Sequence, residues 1–150
     1  MTGILYPCPG KRDGSAFGYR IRKPQSAGIC GEKHFHPYLV INSHGHPDHI
    51  GGNHWFEEIR AAKEEWDVLS LGNLHFEIIS LKGHTKDSIG VLVQEEGILA
   101  AGDGLKEGLW LFNYGALSME ELYGTLKRTM EVPFDYYICG HSSKLYKRRK

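Results

Sequence analysis

The segment Ser43-His44-Gly45-His46-Pro47-Asp48-His49 constrains this chain more than any other feature of it. His44 and His46 are two residues apart, so in an extended segment both imidazoles project to one side, while Asp48 and His49 follow at a bend that can turn them inward. Neutral imidazole and carboxylate are ligands that zinc accepts with tetrahedral or five-coordinate geometry, and a catalytic site keeps one position for water. A loop folded closely around a metal needs backbone angles that side chains forbid, which suits Gly45 and the Gly51-Gly52 pair. A histidine-rich surface loop is the bland reading of the same residues. An Asp placed between spaced histidines, directly after an apolar run, argues against it.

That apolar run is Tyr38-Leu39-Val40-Ile41, rich in β-formers, and it predicts a buried strand whose C-terminal end carries the cluster. Beyond it, Trp55, Ile59, Ala62 and Trp66 recur at helical spacing, which predicts an amphipathic helix over Trp55–Trp66. Gly72-Asn73 reads as a turn into a strand over His75–Leu81, followed by strands at Ser88–Gln94 and Ile98–Ala101, neighbours in a single sheet. Ser118-Met119-Glu120-Glu121 has the form of a capping box, opening a helix with an apolar stripe of Leu122, Leu126 and Met130 that ends at Pro133. Asp135–Cys139 reads as a last strand delivering Gly140-His141. Residues 7–36 show neither strand nor helix periodicity.

At 150 residues the chain is expected to form one domain: an irregular arm over 1–36, a core over 37–141 bearing the motifs, and a solvated basic tail over 142–150. Eighteen basic side chains cancel eighteen acidic ones, so no overall field steers it to nucleic acid or an anionic membrane. No stretch approaches the roughly 18 apolar residues of a membrane span, and Pro7 interrupts any apolar signal core. Three cysteines, Cys8, Cys30 and Cys139, without CxxC spacing, argue against a disulfide framework and for a reducing, cytoplasmic setting. Cys139 is read as a buried strand cysteine rather than a reactive thiol.

Four motifs in order, His44-x-His46-x-Asp48-His49 after an apolar strand, Gly83-His84-Thr85, a strand ending in Gly102-Asp103, and a strand ending in Gly140-His141, resemble the metallo-β-lactamase superfamily. The resemblance runs from about Tyr38 to His141 and is specific as a combination, although each of the last three motifs is weak alone. It implies an α/β fold of the αβ/βα sandwich type, two sheets face to face with helices outside. It further implies two Zn2+ per chain: His44, His46 and His84 on the first, Asp48, His49 and His141 on the second, and Asp103 bridging. A hydroxide between the metals would then be the nucleophile, with Asp48 orienting it, and the glyoxalase II-like branch suggests a small ester, thioester or lactone as substrate. His34, His36, His54 and His75 lie outside the motif positions and read as ordinary surface or packing histidines.

The strands that usually precede the cluster in this family have no counterpart in residues 7–36, and the connection from His49 to His84 is short. The fold is therefore expected to be minimal or incomplete in its N-terminal half, either a small member, a shortened gene product, or a homo-oligomer that completes the sheet. A mononuclear iron enzyme resembling the persulfide dioxygenases is the alternative within the fold. A metal-stabilised binding or structural module is the alternative outside enzymology. Trp110, Phe112 and Tyr114, after Asp103, are read either as an apolar substrate wall or as core, and the tail from Lys144 as solvated.

Overall fold

Buried apolar residues on both faces build the larger of two sheets. In β5 (Leu74–Ser80), β6 (Ile89–Val93) and β7 (Ile98–Ala100), one set of alternate side chains, Phe76, Ile78, Ile89, Val91, Val93 and Ala100, forms a single cluster with Ile138. The opposite set, Ile79, Leu81, Leu92, Leu99 and Ala101, packs with Phe134 on the other face. Successive strand residues point to opposite faces, so a sheet buried on both sides needs apolar residues at both parities, as these strands have. The computed structural model describes residues 3–4, 40–55, 59–61, 68–71, 73–108 and 111–149.

The three strands lie side by side as expected, β5 antiparallel to β6 and β6 to β7, with Ile78 opposite Val91 and Leu92 opposite Leu99. The full order of this six-stranded sheet is β4 (Val68–Leu71), β5, β6, β7, β8 (Tyr136–Ile138) and β9 (Tyr146–Lys147). β8 joins parallel to β7, so the ends of both strands that carry Asp103 and His141 lie at one edge of the fold. The smaller sheet has the order β1 (Gly3–Ile4), β2 (Val40–Asn42) and β3 (Ile59–Ala61). Ile41 of β2 belongs to the same buried cluster as Phe76 and Val91, so the two sheets pack face to face. The Ser43 carbonyl accepts from the Ile89 amide at 2.8 Å and stitches them together beside the histidines.

Several expectations are corrected. The helix expected over Trp55–Trp66 is not formed at Ile59–Ala61, which pairs parallel with β2, Val40 opposite Ile59. Pairing with a buried strand outweighs the helical spacing of four apolar residues, since β-branched Ile59 suits a pleated surface. Residues 56–58 and 62–67 lie outside the described ones, as do 5–39, most of the expected arm. A 3-10 turn covers Asn53–Trp55. The C-terminal segment carries a short strand although Lys144, Leu145, Lys147 and Arg149 are exposed: β9 pairs with β8, and the Tyr137 and Tyr146 rings stack with centroids 5.1 Å apart. Arg148 lies over Phe134, 4.7 Å from the ring centroid, and donates to the carbonyls of Met130, Val132 and Phe134.

The second helix, α2 (Met119–Thr129), forms where the capping box places it, with the Ser118 hydroxyl accepting from the Glu121 amide and the Glu121 carboxylate accepting from the Ser118 amide. Its buried side runs through Leu122, Thr125 and Thr129 rather than through Met130, which caps the helix and is exposed. The Thr129 hydroxyl donates to the Thr125 carbonyl at 2.9 Å, which lets the polar pair be buried. Leu122 reaches the loop before His84 so closely that any Cβ at Gly83 would collide with it. No helix among the described residues is long and apolar enough to cross a membrane.

Candidate metal centre

All seven residues singled out in the sequence, His44, His46, Asp48, His49, His84, Asp103 and His141, converge at the strand ends. β2 runs into His44 and His46, and the short helix α1 (Pro47–Ile50) opens with Pro47 at its first position and presents Asp48 and His49. His84 comes from the loop after β5, Asp103 from the turn after β7, and His141 from the end of β8. His141 adopts the left-handed conformation, φ 62°, which turns its ring back toward the others. Three trios result, each with its ligand atoms within 4.8 Å of one another: His44, His46 and His84; His44, His49 and Asp103; Asp48, His49 and His141.

Asp103 sits between them. Its Oδ2 lies 3.3 Å from His141 Nε2, 3.7 Å from His49 Nε2 and 3.8 Å from His84 Nε2. Asp48 Oδ2 lies 3.2 Å from His141 Nε2 and 3.6 Å from His49 Nε2. The Lys106 ammonium approaches Asp103 Oδ2 to 3.6 Å. Burial pushes the Asp103 carboxyl upward, but His49, Lys106 and His141 together outweigh it and hold the group well below the usual carboxylate range. The His44 imidazole is driven down to about 3, first by burial and then by its neighbours His49, His84 and His46, so it is neutral at physiological pH. A neutral His44 imidazole beside an ionised Asp103 carboxylate is the pair of protonation states in which these two groups coordinate metal.

The ring nitrogens themselves fit a cation. His46 Nε2 is 3.1 Å from the Tyr114 carbonyl oxygen, which only accepts, so Nε2 is the donor there and Nδ1 is the nitrogen left to present a lone pair when the ring binds a metal. His44 Nε2 and His84 Nε2 both face that lone pair, at 3.0 and 3.1 Å. Only one of the two can donate to it, whereas a cation among the three nitrogens accepts a lone pair from each. Among the described residues Asp103 Oδ1 likewise has no hydrogen-bond partner although it is buried, and an unpartnered buried oxygen is costly.

Four further contributors surround the seven; Asp87 and Lys106 were not singled out in the sequence, while Ser43 stood only as the first residue of the cluster segment and Tyr114 only as substrate wall or core. Ser43 Oγ contacts the Nδ1 atoms of His44 and His49, Asp87 accepts from the Gly45 amide at 3.0 Å, Lys106 faces Asp103, and Tyr114 offers only its backbone carbonyl. Proximity in the chain to His44, His84 and Asp103 was the available signal for the first three. The fourth has no side-chain signature at all. The Asp87 carboxyl is raised by burial but lowered further by Thr85, its own backbone and the Gly45 amide, so it stays ionised where it braces the cluster loop. Phe112 and Tyr114 are 94% and 96% exposed, which excludes the core reading for both; Trp110 lies outside the described residues. Cys139 is buried and its thiol is pushed up by that burial, in keeping with a strand cysteine. His75 stands on β5, exposed and paired with Glu95, and His54 is exposed, both apart from the three trios.

The chain is similar to known proteins. The family model described as Metallo-beta-lactamase superfamily matches residues 36–66, the stretch that contains the cluster. A hydroxyacylglutathione hydrolase of Rhodopseudomonas palustris (strain BisB5) is 26% identical over 126 residues, covering 68% of this chain and 47% of that protein. One from Methylococcus capsulatus (strain ATCC 33009 / NCIMB 11132 / Bath) is 24% identical over 124 residues, with the same coverage. The chain thus spans about half the length of the curated relatives it matches. Among solved structures, a metallo-beta-lactamase from Pontibacter korlensis superposes with a TM-score of 0.59 at 15% identity, covering 71% of this chain and 62% of that one. At that identity the likeness speaks for the fold alone.

Proposed function

We propose that this chain, a member of the metallo-β-lactamase superfamily by its four ordered motifs, its matched relatives and its fold, is a metal-dependent hydrolase of a small ester, thioester or lactone. The observation that carries the reading is the convergence of three trios on one buried carboxylate, Asp103, with imidazole lone pairs that a cation would satisfy. His44, His46 and His84 would hold a first zinc, Asp48, His49 and His141 a second, with Asp103 shared between them. Two zinc ions there would supply Lewis acidity and lower the pKa of a coordinated water from about 15.7 toward about 7.

The two carboxylates differ in what they can do. Asp103 is 2% exposed and ringed by His49, His84, His141 and Lys106, so its task is to hold charge in place. Asp48 is 54% exposed at the rim, with Oδ2 aimed at His141, and can both orient an incoming water and receive its proton. No Ser, Cys or Lys nucleophile is required. An acyl substrate is favoured over a phosphodiester by the relatives, which by name hydrolyse a hydroxyacylglutathione.

The test is elemental analysis of protein purified without added metal, followed by an ester, thioester, lactone and phosphodiester screen. About two zinc ions per chain and acyl hydrolysis abolished by chelation are expected. A folded chain that takes up no metal from a zinc-supplemented buffer refutes the reading.

A further inference from the structure

The geometry points to Ser43 as a positioning residue shared by both metal positions: one hydroxyl that fixes the ring orientation and tautomer of His44 and His49 together. This rests on the metal-dependent reading above. Ser43 Oγ lies 3.1 Å from His44 Nδ1 and 3.2 Å from His49 Nδ1, and those two rings are 4.0 Å apart between centroids. His44 belongs to the trio with His46 and His84, His49 to the trio with Asp48 and His141. Each trio therefore has one member resting on the same oxygen.

A hydroxyl has one proton and two lone pairs. When both imidazoles offer Nε2 to a cation, both carry their ring proton on Nδ1, and both can donate to Ser43 Oγ as a double acceptor. In the other arrangement the hydroxyl donates to one of the rings, which moves that ring's proton to Nε2. For His44 this would place an N–H where the lone pairs of His46 and His84 converge, and for His49 it would place one where Asp48 and Asp103 converge. Loading of both positions thus selects the double-acceptor state. A ligand histidine whose other nitrogen is held by an acceptor is the common arrangement in metal sites, but here one acceptor serves two rings in different trios.

Ser43 is also immobilised. Its carbonyl accepts from Ile89 of the opposite sheet at 2.8 Å, and any Cβ on Gly102 would collide with the Ser43 Cβ and Oγ. The hydroxyl is thereby fixed to β2, to β6 and to the turn carrying Asp103. Both rings it touches are buried, His44 3% and His49 1% exposed, so water is a poor substitute acceptor.

The experiment compares zinc binding by wild type and Ser43→Ala, using competition with a chromophoric chelator, with long-range 1H–15N spectra of the histidine rings in the zinc-loaded wild type. Both stepwise zinc affinities are expected to fall by roughly 10- to 100-fold in Ser43→Ala. In the wild type, His44 and His49 should each show a slowly exchanging proton on Nδ1. A variant that keeps both affinities within about twofold, or loses only one, overturns the shared role while leaving the metal-dependent reading intact. A wild type that binds no zinc overturns both. The spectra decide independently of whether the alanine variant folds, because a proton on Nε2 of either ring in the loaded wild type refutes the assignment.

Discussion

Replacing Gly140 by Ala adds one methyl group at the most crowded point of the centre. A Cβ there would overlap Asp103 Oδ1 outright, and would lie 3.2 Å from Asp103 Cγ and 3.3 Å from the carbonyl carbon of Gly102. Asp103 has nowhere to retreat, since its other oxygen is ringed by His49, His84, His141 and Lys106 at 3.3 to 3.8 Å. Forcing an extra carbon into a packed site costs ~1–3 kcal/mol, which at ~2–4 °C per kcal/mol for a chain of this size lowers Tm by ~2–12 °C. The larger effect is on zinc. Displacing the shared carboxylate by even a fraction of an ångström should reduce affinity by more than about tenfold. Gly108→Ala is the control: Gly108 has φ +71° and no atom of the described residues within 4 Å of its would-be Cβ, so alanine there costs ~1–2 kcal/mol of backbone strain without touching the centre. Differential scanning fluorimetry with and without a chelator, beside a zinc titration, separates the two. A Gly140→Ala protein that melts within about 1 °C of wild type and binds zinc normally refutes the argument from contact.

Other outcomes follow from the same geometry. His46→Ala should lose zinc and hydrolysis together, whereas His75→Ala, whose exposed ring pairs with Glu95, should leave both nearly unchanged; equal effects would sink the ligand assignment. The metal-free protein should weaken in acid through His44. Its folded pKa of about 3 lies below the unfolded value of 6.5, so the unfolded chain takes up a proton first as pH falls. The contribution is complete above 6.5 and fades between 6.5 and about 3, on the order of 1 kcal/mol per pH unit at most, measurable by urea unfolding in a pH series. Arg148→Ala should cost ~1–3 kcal/mol, because it leaves the carbonyls of Met130, Val132 and Phe134 without their charged donor and uncovers the Phe134 ring. A melting temperature unmoved by that change would show the C-terminal strand to be dispensable.

What the sequence made legible depended on whether the signal was local. The strands at β5, β6 and β7 were readable because each has apolar residues at both parities bounded by turns, and α2 because Ser118 and Glu121 complete a reciprocal cap within four residues. The seven convergent side chains were readable because they stand at strand ends in recurring short motifs. The segment over Ile59–Ala61 was misread because its pairing with Val40–Asn42 is a long-range fact that helical spacing cannot express. β4 and β9 escaped for the same reason: each has only two to four residues and exists through its neighbour. Ser43 was given no role because facing two rings at once is a tertiary fact, and Tyr114 was read only for its side chain because a backbone carbonyl leaves no trace in residue identity.

The seven converging residues come from β2, α1, the loop after β5, the turn after β7 and the end of β8, so they run from residue 44 to residue 141 and meet only when both sheets have docked. Closing such contacts costs the entropy of the intervening chain, so a centre made of them is expected to complete after the transition state. Metal bound there would therefore leave the speed of folding almost untouched and slow the reverse reaction instead. The ion would act as a latch on the finished protein, prolonging its lifetime, and not as a nucleus around which the chain gathers.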